Sequence, residues 1–256
     1  MKRNCPRHCE RRRRAAISSV IKGIASSRFT LLAMTVSCSL VLSSPVYAQG
    51  VFKGRVVFQG TPPVAESIEV KSDTPICGTH KELPKIVLGQ NQGVANAVVR
   101  ILGAKAELKP KDGALDQAQC EFVPHVQVIP VGSKVVITSS DSVLHNAHGF
   151  YEDGSTAFNI AVPVVGMEIG KKLDKPGLIK LRCDAGHTWM KGFIYVVDGP
   201  FYTLTDADGN FSIEGVPPGH YDVEVWQEWL GKTRQGVDIK EGASKPSTVT
   251  LREANK

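Results

Sequence analysis

From residue 49 onward, apolar and polar side chains alternate in short runs, and no long segment settles into a 3.6-residue period. In "GLIKLRC" (177–183), Ile179, Leu181 and Cys183 alternate with Lys180 and Arg182. An extended strand turns successive side chains to opposite faces, so Cys183 shares the inward face with the apolar pair. Similar runs occur at "VFKGRVVF" (51–58), "ANAVVRIL" (95–102), "HVQVIP" (125–130), "KVVITSS" (134–140) and "KGFIYVVD" (191–198). Others are "FYTLT" (201–205), "NFSI" (210–213), "HYDVEVW" (220–226) and "STVTL" (247–251). Thr61-Pro62-Pro63, Pro130-Val131-Gly132, Lys175-Pro176-Gly177, Asp208-Gly209 and Pro217-Pro218-Gly219 punctuate them. The pattern predicts an all-β chain of sandwich type.

The first 48 residues follow another rule. Arg11, Arg12, Arg13 and Arg14 precede an apolar stretch from Phe29 to Leu42, and Val46 and Ala48 sit where a small-residue cleavage site needs them. This predicts a signal peptide over 1–48, cut near Ala48, and a periplasmic or secreted product. The apolar stretch is shorter than the roughly 20 residues of a membrane span, and no later one is longer, so no integral membrane segment is expected in the mature chain. Removing the leader takes away 9 Lys/Arg and 1 Glu, so totals of 31 and 25 become 22 and 24, near −2. The basic balance therefore belongs to the leader, and nucleic acid is not an expected partner.

Two modules are expected downstream. "TDADGNFSIEGVPPGHYDVEVW" (205–226) carries T-D-A-x-G-x-F and then G-x-P-P-G-x-Y before a strand. It resembles the carboxypeptidase regulatory-like, prealbumin-like β-sandwich, one of the carbohydrate-binding-like folds. "KGRVVFQGTPP" (53–63) and "GVANAVVRILG" (93–103) look like that module's missing first strands. The predicted organisation is thus first strands over 49–110, a second sandwich over 111–199, and the rest of the regulatory-like module over 200–256. An insertion is expected because open sheet edges need partners; the alternative is an independent N-terminal β segment. Asp206-Ala207-Asp208-Gly209-Asn210 reads as a hairpin turn rather than a calcium loop, because its glycine is misplaced for calcium.

Three cysteines remain after the leader: Cys77, Cys120 and Cys183. In an exported chain this suggests one disulfide and one odd thiol. If Cys183 is a ligand, Cys77 and Cys120 are the pair; the alternative is three free buried thiols. "LRCDAGHTWMKG" (181–192) offers Cys183, His187 and Met190 as C-x3-H-x2-M between two strands, and "SDSVLHNAHGF" (140–150) adds His145 and His148. Thiolate and thioether suit Cu(I), while imidazole suits both copper states. His145 and His148 are three apart on an extended chain and face opposite sides, so only one is expected to bind; His145 is favoured and His148 is the competitor. No Ser/His/Asp set, phosphate loop or catalytic carboxylate pair stands out, so a carrier or binding protein is expected rather than an enzyme.

"HNAHGF" followed by "PGLIKLRCDAGHTWMKGFIYVV" resembles the cupredoxins, most closely those of the amicyanin and plastocyanin type. The resemblance implies a Greek-key β-sandwich holding one copper ion, Cu(I)/Cu(II), on His145, Cys183, His187 and Met190. It implies that Asn146 ties the two ligand loops together. The departure is Gly186: three residues separate Cys183 from His187, where those relatives have two. The implied function is one-electron transfer to a redox protein docking near His187, whose edge would be the electron port, with Ala185, Thr188 and Trp189 as an apolar rim. Alternatives are copper storage or delivery, or an envelope module binding carbohydrate or protein. For the latter, Tyr221, Trp226 and Trp229 are candidate stacking residues, although a place in the core is the favoured expectation for each.

Overall fold

A computed structural model describes residues 49–243 and 245–253. The expected leader and its cleavage site lie outside these described residues. The strands are β1 (Gly50–Phe58), β2 (Glu66–Glu69), β3 (His80–Leu83), β4 (Val98–Leu102), β5 (Gly113–Ala118), β6 (Glu121–Val123) and β7 (Val126–Pro130). They continue as β8 (Lys134–Ile137), β9 (His145–Tyr151), β10 (Thr156–Val162), β11 (Ile169–Lys172), β12 (Gly177–Arg182) and β13 (Lys191–Val197). Last come β14 (Tyr202–Leu204), β15 (Asn210–Val216), β16 (Gly219–Gln227), β17 (Gly231–Ile239), β18 (Gly242–Ala243) and β19 (Ser247–Leu251). A single helical turn, α1 (Thr74–Cys77), joins β2 to β3.

Strand pairing shows how the chain is threaded. β1 lies between β15, antiparallel with Phe52 opposite Ile213, and β19, parallel with Val56 opposite Val249. β4 lies between β14 and β16 in a second sheet closed by β17. Phe52, Val56, Val99, Ile101, Phe211, Val223, Val225 and Leu251 fill the space between these sheets. The intervening chain forms two further sheets, β10-β9-β12-β13-β7 and β11-β8-β5-β6. Their shared core holds Leu115, Ile129, Ile137, Ile179, Leu181 and Ile194. The protein thus begins one sandwich, builds another, and returns to finish the first. Between β1 and β4, the β2–β3 hairpin packs on the second sandwich, where Val70 and Cys77 are buried.

The two sandwiches meet face to face. Val98 of β4 and Trp226 of β16 pack against Val126, Leu178, Tyr195 and Val197. β13 accordingly reads as a nearly unbroken apolar run, GFIYVV, because both of its faces are covered. Trp226 is 4% exposed and lies edge-on to Phe193 and Tyr195, at 5.4 and 5.7 Å between ring centres. Trp226 is therefore a core residue, as the sequence pattern leads one to expect, and is not free to stack on a sugar. Trp229 rests on Phe58 at 5.7 Å, and Tyr221 donates its hydroxyl to the Pro217 carbonyl at 3.0 Å. Gly209 closes the β14–β15 turn with φ 80°, its N–H bonded to the Asp206 carbonyl at 3.0 Å. A Cβ there would stand 2.4 Å from the Val56 carbonyl oxygen, so the turn requires glycine. Among the described residues no helix is long and apolar enough to cross a membrane.

A carboxylate is buried beside this apolar joint. Glu224 is 1% exposed; one oxygen accepts from Arg100 Nε at 2.8 Å and Tyr195 Oη at 3.0 Å, the other from Arg234 Nε at 2.8 Å. Burial alone would raise its pKa, but bonds to Arg234 and Arg100 outweigh it and hold the carboxyl below its ordinary 4.5. A depressed folded-state pKa contributes stability that is present above the unfolded value and lost as pH falls through the folded one. Glu224→Gln is therefore expected to cost about 1–3 kcal/mol at pH 7 and to flatten the loss of stability below pH 4.5. Urea unfolding of both proteins across that range checks this.

Candidate metal centre

β9 and β12 are antiparallel neighbours with His148 opposite Arg182, so the start of β9 and the end of β12 lie at one end of the same sheet. His145 and Ala147 point into the core, both fully buried, while His148 is on the other face. Beyond Arg182 the chain turns through Cys183–Met190, with Gly186 at φ 98°, and re-enters the sheet as β13. The Met190 N–H closes on the His187 carbonyl at 3.0 Å. That short turn puts Cys183, His187 and Met190 within the buried core, each no more than 5% exposed.

Three donor atoms converge. His145 Nδ1 lies 2.9 Å from His187 Nδ1, and Cys183 Sγ lies 3.7 Å from His187 Nδ1. These residues form a group able to hold a metal ion, with ligand atoms within 4.8 Å of one another. The outer nitrogens are committed elsewhere: His145 Nε2 meets Asp141 Oδ2 at 2.8 Å, and His187 Nε2 meets Asp73 Oδ2 at 2.9 Å. A carboxylate accepts only, so each Nε2 donates and each ring carries a proton on its outer side. Both Nδ1 lone pairs then face one point across 2.9 Å, an arrangement that needs a proton or a metal cation between them. Burial lowers the pKa of His145, against the pull of Asp141, which favours its neutral form. The donor set of two imidazoles and one thiol fits a soft or borderline metal such as copper.

The surrounding groups fix this geometry. Asp141 also accepts from the backbone N–H groups of Gln119 and Cys120, each at 2.7 Å. Asp73 stands at φ 55° just before α1, and its carbonyl accepts from Cys77 N at 2.8 Å. Asn146 accepts from the Asp184 N–H beside Cys183 and donates to Asn159 Oδ1 at 2.6 Å, linking the two ligand loops. His148 is bound to Asp184 Oδ2 at 2.7 Å on the outer face, away from the convergent donors. Cys77 and Cys120 form a disulfide, and Cys183 is the free cysteine among the described residues.

Two expectations are corrected. The His187 edge is not a port open to water: the residue is fully buried because Asp73, carried in from the β2–β3 connection, covers its outer nitrogen. Trp189 is not a solvent rim either. It is buried with its Nε1 donated to the Cys120 carbonyl at 3.0 Å and its ring 5.2 Å from that of His187, while Ala185 and Thr188 are exposed. A cleft of about 500 Å³ reaches the ligand turn from another side, lined by Phe122, His125, Trp189, Met190, Glu228 and Trp229. Sequence reading missed Asp73 and Asp141. Asp141, four residues before His145, carried a faint signal in "SDSVLH"; Asp73, 114 residues from His187, carried none.

Comparison with known proteins adds the following. The family model for polysaccharide lyase family 4, domain II, matches residues 197–247. No curated protein matches the chain. Solved structures similar to part of it include a novel purple cupredoxin from Nitrosopumilus maritimus, 25% identical, covering 34% of this chain and 100% of that one, TM-score 0.30. A copper-containing nitrite reductase from Thermus scotoductus SA-01 is 27% identical, covering 38% of this chain but only 24% of that one, TM-score 0.29. A Cu(I) amicyanin mutant is 17% identical, covering 39% and 98%, TM-score 0.30.

The disulfide joins residues 43 apart in sequence. In the chain-entropy account such a closure contributes up to about 4 kcal/mol. Cys77→Ser with Cys120→Ser is expected to lower unfolding free energy by at most that amount, read by denaturant titration of the oxidised proteins. A change near zero would mean that the hairpin is held on the sandwich without the covalent link.

Proposed function

We propose that the protein is an exported, mononuclear copper-binding carrier of single electrons, with a cupredoxin-type sandwich over 111–199, covered by the β2–β3 hairpin, set into a second module formed by the rest of 49–110 and by 200–256. The observation that carries this reading is the convergence of His145 Nδ1, His187 Nδ1 and Cys183 Sγ on one buried point, with both outer imidazole nitrogens held by carboxylates. His145, Cys183 and His187 would hold the ion, together with Met190, which is buried at the close of the same turn. Bound copper would supply a one-electron couple. The chain's own part is to keep the thiol and imidazoles in place through Asn146, Asp141 and Asp73, and to keep water out. Rigid donors limit rearrangement when the charge of the ion changes.

A redox partner near this site cannot meet the imidazole edge directly, since Asp73 covers it. The exposed Ala185 and Thr188 and the cleft beside Trp189 are the available approaches, and Trp189 spans from cleft to His187 ring. The second module serves as scaffold. Its buried Trp226 removes one candidate from the carbohydrate reading.

Reconstitution with Cu(II) is expected to give about one ion per chain and a strong thiolate-to-copper absorption band. Cys183→Ser should abolish the band, and His148→Ala should leave it in place. A reversible one-electron wave in voltammetry supports a carrier; tight Cu(I) binding without such a wave would instead support storage or delivery. No band in the wild-type protein would overturn the copper reading.

A further inference from the structure

The disulfide is not a remote staple. Cys77 Sγ, Cys120 Sγ and a ring nitrogen of His187 lie within 4.8 Å of one another, and so do Cys120 Sγ, an Asp141 oxygen and a ring nitrogen of His145. Both sulfurs are buried, and each sits on a segment that braces one imidazole. Cys77 N–H bonds the Asp73 carbonyl, and Cys120 N–H bonds the Asp141 carboxylate, at 2.8 and 2.7 Å.

We infer that Cys77 and Cys120, once reduced, form a second, two-thiolate site for Cu(I) close to the His187 ring and beside the His145–Cys183–His187 set. Two thiolates are soft donors suited to Cu(I), and the two sulfurs are already side by side in the disulfide. The donors stay in place after the S–S bond is gone because other contacts hold the hairpin. Ile68 pairs with Lys81 in β2–β3, Val70 is buried in the sandwich core, and Lys81 Nζ bonds the Gln119 carbonyl at 2.6 Å and Glu121 at 2.8 Å. Reduction requires a dithiol as co-reactant. It supplies two electrons and two protons, the S–S bond breaks, and the donor leaves as its own disulfide. Cu(I) then replaces the two thiol protons, which go to solvent, without changing oxidation state. This goes beyond the one-site carrier reading and is tested apart from it.

The full chain is titrated anaerobically with Cu(I) against a chromophoric chelator, before and after reduction by dithiothreitol and desalting. Reduction is expected to add one tightly held Cu(I) per chain in the wild type and in Cys183→Ser, and none in Cys77→Ser with Cys120→Ser. Because Cys183→Ser lacks the first thiolate, its increment reports on the second site even if the carrier reading fails. In reduced wild type, Cu(I) should also protect Cys77 and Cys120 from iodoacetamide, read by peptide mass spectrometry. This arm does not depend on the double variant folding. No increment on reduction, an increment that persists without both cysteines, or alkylation unaffected by Cu(I) would overturn the proposal.

Discussion

Two fully buried imidazoles aim their inner nitrogens at each other across 2.9 Å, and this contact constrains everything around it. It exists because Asp73 and Asp141 claim both outer N–H groups and so decide where the ring protons sit. Released from those carboxylates, either ring could take the other tautomer and the lone-pair convergence would vanish. The two aspartates come from different places: Asp141 from the loop before β9, Asp73 from the connection between β2 and β3. The disulfide joins the segment that carries Asp73 to Cys120, whose N–H bonds the Asp141 carboxylate. Imidazole geometry, hairpin docking and covalent linkage are thus parts of one arrangement.

A second constraint acts at the joint between sandwiches. Packing two sheets face to face leaves β4, β13 and β16 with no solvated side, yet Glu224 lies there as an ionised group. Two guanidiniums and a phenol satisfy it. Such a site stabilises little compared with an apolar one, but it fixes which residues face each other. The second sandwich is therefore seated on its host in one register.

Much of this was legible in the sequence. Alternation in "GLIKLRC" placed the Cys183 thiol inward, and the three-residue offset between His145 and His148 separated a core residue from a surface one. What escaped were elements without such contrast. β17 reads "GKTRQGVDI", in which the inward positions are Thr and Gln as often as Val, and β2 and β3 are short and charged. The covering of His187 escaped for a different reason. It depends on a contact 114 residues apart in sequence, between a turn residue and a ring, and no local pattern encodes it.

The threading has a consequence for how the protein is made. β1 ends at Phe58, but its parallel partner β19 begins at Ser247, so nearly the whole chain must be synthesised before that edge is covered. Both sheets of the inserted sandwich, with the His145–Cys183–His187 cluster, disulfide and bracing carboxylates, are complete by Val197. Contacts so distant in sequence form late. The inserted sandwich can therefore mature while its host is still an open sheet with an unpaired edge. Any truncation from the C-terminal end would expose β1 long before it disturbed one of the convergent donors.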